Sequence, residues 1–243
     1  MESRVGFLLS YPSADPEIGR VVIEELKELG VSALVPKGRH AIDGVPILGK
    51  GHVGIVVAAL LGGEEVAVKL RRSDADRVSM AAEGEYLRLA NEVSVGPRLL
   101  GVSKNVVMME FVEGRYLVDW VGGLGLEDAG PLKGVLVNLM EQTRKLDEVG
   151  LDHGELSSAR RHVIVSGGVA RIVDFESASI SRRCSNVTSM AQYLFLNRGM
   201  AGGVGGVIPL PERDSLLTAL SAYRWWPGKA SFRRVLAASG LSE

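Results

Sequence analysis

The chain has 243 residues, 46% hydrophobic and 23% charged, which is enough apolar material for a full core without help from metals or disulfides. With 28 basic against 29 acidic side chains the net charge is -1, so charge gives no argument for a nucleic-acid partner. Cys184 is the single cysteine, which excludes an internal disulfide and a cysteine zinc cluster; the apolar run VGFLL near the N-terminus is too short for a signal-peptide core or a membrane span. These features predict a cytoplasmic protein with no membrane partner.

In chain order, residues 4–10 (RVGFLLS) read as a short strand. DPEIGRVVIEELKELG then carries Ile18, Val22, Leu26 and Leu29 at helical spacing behind Asp15-Pro16, with Gly30 as the stop, so a helix is expected over 15–30. The runs VSALV, VPILG, GIVVAAL and EEVAVKL between 31 and 71 are β-rich and separated by glycines, the pattern of antiparallel strands joined by tight turns. SDADRVSMAAEGEYLRLANEV reads as a helix capped at Ser73 or Asp74, with Val78, Ala81, Ala82, Leu87 and Leu89 inward. PRLLGV and VVMMEFV then resume the sheet.

Beyond Gly114 the pattern turns helical. PLKGVLVNLMEQTRKLDEVG places apolar residues at 132, 135, 136, 139, 140 and 146, the spacing of a long buried helix. HVIV and ARIV bracket the turn SGG. Helices are expected near 186–197, 212–223 and 229–239, with GMAGGVGG as a glycine-rich loop and Trp225-Trp226 as core anchors. The chain therefore divides into an extension (1–40), a sheet-rich lobe (41–113) and a compact helical lobe (114–243), an α+β protein.

Several short motifs carry chemistry. GKGHVGIV matches G-x-G-x-x-G-x-V at Gly49, Gly51, Gly54 and Val56, where missing side chains let backbone approach phosphates. A dinucleotide-binding loop shares that spacing, but it needs a helix straight after the glycines, and a β-rich run follows here. Lys69 in VAVK suits a phosphate-pairing strand lysine. Glu83 suits its acidic partner; Glu85 is the rival, about 200° away around a helix, so only one of the two can face the lysine. HGEL (153–156) and VDFE (173–176) add a carboxylate loop and a carboxylate after a strand.

In this order the motifs resemble a protein-kinase-like fold. The chain is similar to the small atypical kinases, namely RIO kinases and the kinase subunit of the KEOPS complex, and HGEL with DFE resembles a group of archaeal predicted serine/threonine kinases. The resemblance covers roughly residues 44–200. It implies a two-lobed fold with an antiparallel-sheet N-lobe, and ATP and Mg²⁺ as cofactors. The catalytic residues it implies are Lys69, Glu155 and Asp174. Gly49, Gly51, Gly54, Val56, Ala67, Lys69 and Glu83 would line the nucleotide site, with Met109, Glu110 and Val112 at an adenine hinge. Asp174 would hold the metal.

Two departures matter. Glu155 stands where the family has the catalytic Asp, and Glu176 replaces the DFG glycine. Counting forward from His153 puts Arg160 at the metal-binding Asn; counting back from Asp174 along strand alternation puts His162 there, the preferred register. The implied activity is transfer of the γ-phosphate to a serine or threonine of a protein, with autophosphorylation among the candidate reactions and the protein substrate unidentified. The competing readings are a nucleotide-binding pseudokinase or scaffold and a small-molecule kinase.

Overall fold

The computed structural model describes residues 2–242, with side chains from residue 6 onward. It is an α+β protein in two compact units, Met1–Asn91 with Pro97–Phe111, and Glu92–Gly96 with Val112–Glu243.

Unit 1 begins with α1 (Glu2–Leu9) and α2 (Pro16–Glu28), so residues 4–9 are helical and the strand expected over 4–10 is corrected. Leu8 and Leu9, adjacent in sequence, are both buried, which an alternating strand cannot achieve on one face. Helix α2 starts as its sequence dictates: Pro16 fixes the first helical residue and the Asp15 carboxylate accepts from Glu17 N–H at 2.8 Å. The strands are β1 (Val31–Val35), β2 (His40–Ile42), β3 (Val45–Ile47), β4 (Gly49–Lys50), β5 (Gly54–Leu61), β6 (Glu64–Arg71), β7 (Leu99–Val102) and β8 (Val106–Glu110). The main sheet runs β1-β5-β6-β8-β7 with every pair antiparallel, β4 adding to β5, and β2-β3 forming a separate hairpin.

Helix α3 (Ala81–Glu92) is shorter than expected. The Ser79 hydroxyl, rather than Ser73 or Asp74, accepts from the Ala81 amide at the helix start. Leu87 and Ala90 are buried as the periodicity requires, whereas Ala81 and Ala82 are exposed and Val78, ahead of the helix, is 81% exposed. The core of unit 1 joins Leu8, Leu9, Val22 and Leu26 to Ile55, Val57, Val68, Leu70 and Met108 of the sheet, so residues 7–29 contribute to that core.

Unit 2 holds β9 (Arg115–Tyr116), α4 (Leu117–Val121), α5 (Ala129–Glu148), β10 (Val163–Ser166), β11 (Val169–Ile172), α6 (Asn186–Phe195), α7 (Arg198–Gly205), α8 (Arg213–Trp225) and α9 (Lys229–Ala238). Helix α5 buries Leu132, Val135, Leu136, Leu139, Met140 and Leu146. The same helix turns Gln142 inward, where its amide donates to the Ala170 carbonyl at 2.7 Å and ties α5 to β11.

The glycine-rich loop expected after residue 198 is helix α7. Asn197 caps it by accepting from Gly199 and Met200 N–H, and Met200, Ala201 and Val204 are buried. Its glycines allow close packing, since a Cβ at Gly203 would sit 3.0 Å from Val121. Trp225 and Trp226 are 65% and 75% exposed, so they are not core anchors. No helix among the described residues is long and apolar enough to cross a membrane.

Candidate functional site

The candidate residues fall into two groups, one in each unit. In unit 1 the register of β5, β6 and β8 pairs Val56 with Lys69, Ala67 with Met109 and Lys69 with Val107. Paired residues in an antiparallel ladder share a face, and so do residues two apart along a strand. Val56, Ala67, Lys69 and Met109 therefore line one face, and Gly54 joins them.

Gly54 has to be glycine here. A Cβ at that position would lie 2.9 Å from the Leu70 carbonyl oxygen and 3.0 Å from the Lys69 Cγ. Gly49 faces no such pressure, because its nearest neighbour, Val56, would be 3.9 Å from an added Cβ. Gly51 sits in the turn and donates its N–H to the Gly54 carbonyl at 2.8 Å, while the Arg72 guanidinium donates to the Gly51 carbonyl at 3.1 Å.

Lys69 is buried and donates to Glu83 of α3 at 2.8 Å, the two side chains being 3% and 4% exposed. Glu85 is exposed and pairs with Arg88, which settles the helical rivalry in favour of Glu83. A buried ammonium is strongly penalised unless an anion compensates it, so this pair fixes the lysine in one position. Glu110 closes β8 with its N–H donated to the Arg98 carbonyl, and Val112 begins the run that belongs to unit 2.

In unit 2 the loop after α5 is held by side chains that carry no motif. Asp147 accepts from the Asn186 and Val187 amides at the start of α6 and from the Tyr223 hydroxyl. Asn186 in turn accepts from the His153 amide at 2.9 Å and donates to the Leu151 carbonyl. Asp152 exchanges backbone hydrogen bonds with Ser179 and receives the Arg182 guanidinium at 2.9 Å. Gly154 lies at φ 88, and a Cβ there would stand 2.6 Å from the Ser177 carbonyl, so the glycine of HGEL is required by the backbone.

These contacts deliver the chemical groups. The buried His153 ring donates from Nε2–H to the Val173 carbonyl at 3.1 Å and packs on Phe175. Burial, helped by the neighbouring His162, pushes its pKa down to about 4, so it is neutral at physiological pH and Nε2 carries the proton. His162 closes the turn before β10, and its carbonyl accepts from the Val173 amide at 2.9 Å, which sets it across from Asp174. Asp174 adopts φ 68, a left-handed conformation rare for a side chain other than glycine.

Glu155, His162 and Asp174 come together: one ligand atom from each lies within 4.8 Å of the others. His162 Nε2 stands 3.4 Å from a Glu155 oxygen. Between the two registers, the geometry brings His162 to Asp174, while Arg160 is exposed. Glu155 faces that imidazole. Glu176 is buried.

The molecule is thus an α+β protein with a buried lysine–glutamate pair in one unit and a carboxylate–imidazole–carboxylate cluster in the other. No family model matches the chain. It is 31% identical over 87 residues to uncharacterized protein MJ1211 of Methanocaldococcus jannaschii, a match spanning 36% of this chain and 72% of that protein. The chain belongs to the same family as that archaeal protein.

Proposed function

We propose that the two units are the lobes of a protein-kinase-like fold and that the chain is an ATP-dependent phosphotransferase acting on serine or threonine hydroxyls of a protein. The observation that carries this reading is the Lys69–Glu83 pair at 2.8 Å, reached through the strand and helix that the motif order required. A buried ammonium held by a glutamate beside a glycine turn is suited to triphosphate oxygens. In this reading the glycine turn covers the phosphates with backbone N–H groups, and Met109, Glu110 and Val112 meet the adenine.

Asp174 and His162 offer a carboxylate oxygen and an imidazole nitrogen to a dication, and the donor set of the cluster fits that role. When bound, the ion neutralises charge on the triphosphate. Glu155 supplies the carboxylate at the place of the general base. Phosphoryl transfer draws most of its acceleration from positioning and charge neutralisation, and a well-placed base adds about 10²–10⁴-fold, so a longer acid here predicts a slow enzyme.

Calorimetric titration of the full chain with ATP and Mg²⁺ tests binding, and transfer of labelled γ-phosphate tests chemistry. Uptake by the wild type, weakened at least about tenfold in Lys69→Ala by loss of a charge-assisted contact, is the expected result. Absence of uptake by the folded wild type refutes the reading. The contact of Glu155 with His162 favours a second reading, a nucleotide-binding scaffold: ATP uptake with no transfer in the wild type, under any divalent ion, would select it.

A further inference from the structure

The unit 2 cluster differs chemically from an all-oxygen magnesium seat. Mg²⁺ demands hard oxygen donors in a near-octahedral shell, whereas an imidazole suits Mn²⁺, Fe²⁺, Co²⁺ and Zn²⁺ increasingly well. Glu155, His162 and Asp174 provide two carboxylates and one imidazole, with their ligand atoms within 4.8 Å of one another.

One separation in the cluster also suits a shared ion. His162 Nε2 and the Glu155 oxygen are 3.4 Å apart, long for a charge-assisted hydrogen bond. Two donors bound at about 2.1 Å and at a tetrahedral angle stand about 3.4 Å apart. Two of the ligands, His162 and Asp174, are also preorganised. The His162 side chain is 14% exposed, the Val173 amide is bonded to the His162 carbonyl, and Asp174 is held at φ 68. Backbone strain of that kind at a chemical cluster persists only where the surroundings enforce it.

We propose that Glu155, His162 and Asp174 together form a three-ligand site for a first-row transition-metal dication, taken in preference to Mg²⁺. Glu155 binds through the oxygen that faces His162, which makes it a metal ligand in addition to its place in the catalytic loop. The remaining coordination positions are open to phosphate oxygens, and this use of the ion rests on the phosphotransfer reading above; the binding of the ion does not.

The test is Mn²⁺ binding to the full chain without nucleotide, followed by electron paramagnetic resonance, which loses the signal of free aqueous Mn²⁺ on uptake. The expected result is one Mn²⁺ per chain, retained against an approximately tenfold excess of Mg²⁺, with His162→Asn losing that preference because an oxygen donor replaces the nitrogen. No uptake by the wild type, displacement by equimolar Mg²⁺, or an undiminished Mn²⁺ preference in His162→Asn each overturns the proposal. If the variant fails to fold, the wild-type competition alone decides. Calorimetry with ATP on the same sample separates the two claims: Mn²⁺ uptake without ATP uptake keeps this site and refutes the kinase reading, and ATP uptake with no preference for Mn²⁺ does the reverse.

Discussion

Lys69 and Glu83 form a buried partnership that is costly to break. Removing one member of a buried pair leaves the other charge unsolvated and typically destabilises by about 3–5 kcal/mol, while replacing both with apolar groups of similar volume is often neutral. Lys69→Met alone is therefore expected to lower the denaturant midpoint sharply, and Lys69→Met with Glu83→Leu to restore most of it, while the ATP uptake proposed above stays at least about tenfold weaker than in the wild type. A double variant as unstable as the single one would show that the pair is not the source of the loss. This pair was legible through the motifs that resemble a protein-kinase-like fold, which offered Glu83 with Glu85 as its rival, and helix geometry, which allows only one of the two to face Lys69. The resemblance likewise marked Glu155 and Asp174, and strand register favoured His162 over Arg160. Gln142, Asp147, Asp152 and Asn186 were not legible: these contacts reach backbone groups and side chains 28 to 39 residues away, and no spacing rule connects them.

Elements were readable where periodicity was long and failed where it was short or dominated by glycine. The buried face of α5 follows its 3.6-residue pattern over 20 residues. RVGFLLS has too few residues to separate a strand from a helix, and the helix wins because Leu8 and Leu9 both reach the core while Phe7 packs beside them. In α7 the glycines lower helix propensity, yet the Asn197 cap and the burial of Met200 and Val204 override it. Helix α6 shows how a helix start depends on distant sequence. Its first amides are accepted by the Asp147 carboxylate at the end of α5, and burial raises the pKa of that carboxyl despite the hydrogen bonds it receives. Asp147→Ala would leave the Asn186 and Val187 amides and the Tyr223 hydroxyl without this acceptor, at about 1–3 kcal/mol for each buried donor left unsatisfied. A loss of at least about 2 kcal/mol is expected from chemical denaturation, together with faster hydrogen exchange at the first turn of α6. Unchanged stability would mean that water replaces the carboxylate without penalty.

For the molecule as a whole, the first 30 residues decide whether unit 1 is a fold or a fragment. Nothing in the resemblance that orders the later motifs covers them, and on sequence alone they looked like an appendage. Packing says otherwise. Leu8, Leu9, Val22 and Leu26 are buried against Ile55, Val57, Val68 and Met108. The Glu25 carboxylate accepts from the Ser103 hydroxyl and from both the backbone and side-chain N–H groups of Asn105, closing the turn between β7 and β8. Burying a Leu or Val side chain contributes about 1.5–3 kcal/mol, so these four together contribute roughly 6–12 kcal/mol, comparable with the whole stability of an ordinary domain at about 5–15 kcal/mol. Deleting residues 1–30 also uncovers the apolar face of the sheet that carries Lys69. The truncated chain is expected to lose the cooperative thermal transition of unit 1 and to aggregate, as followed by circular dichroism and light scattering. A truncated chain that stays monomeric and melts at the wild-type temperature would return these helices to the status of an appendage. It would also place the stability of the sheet in the strands alone.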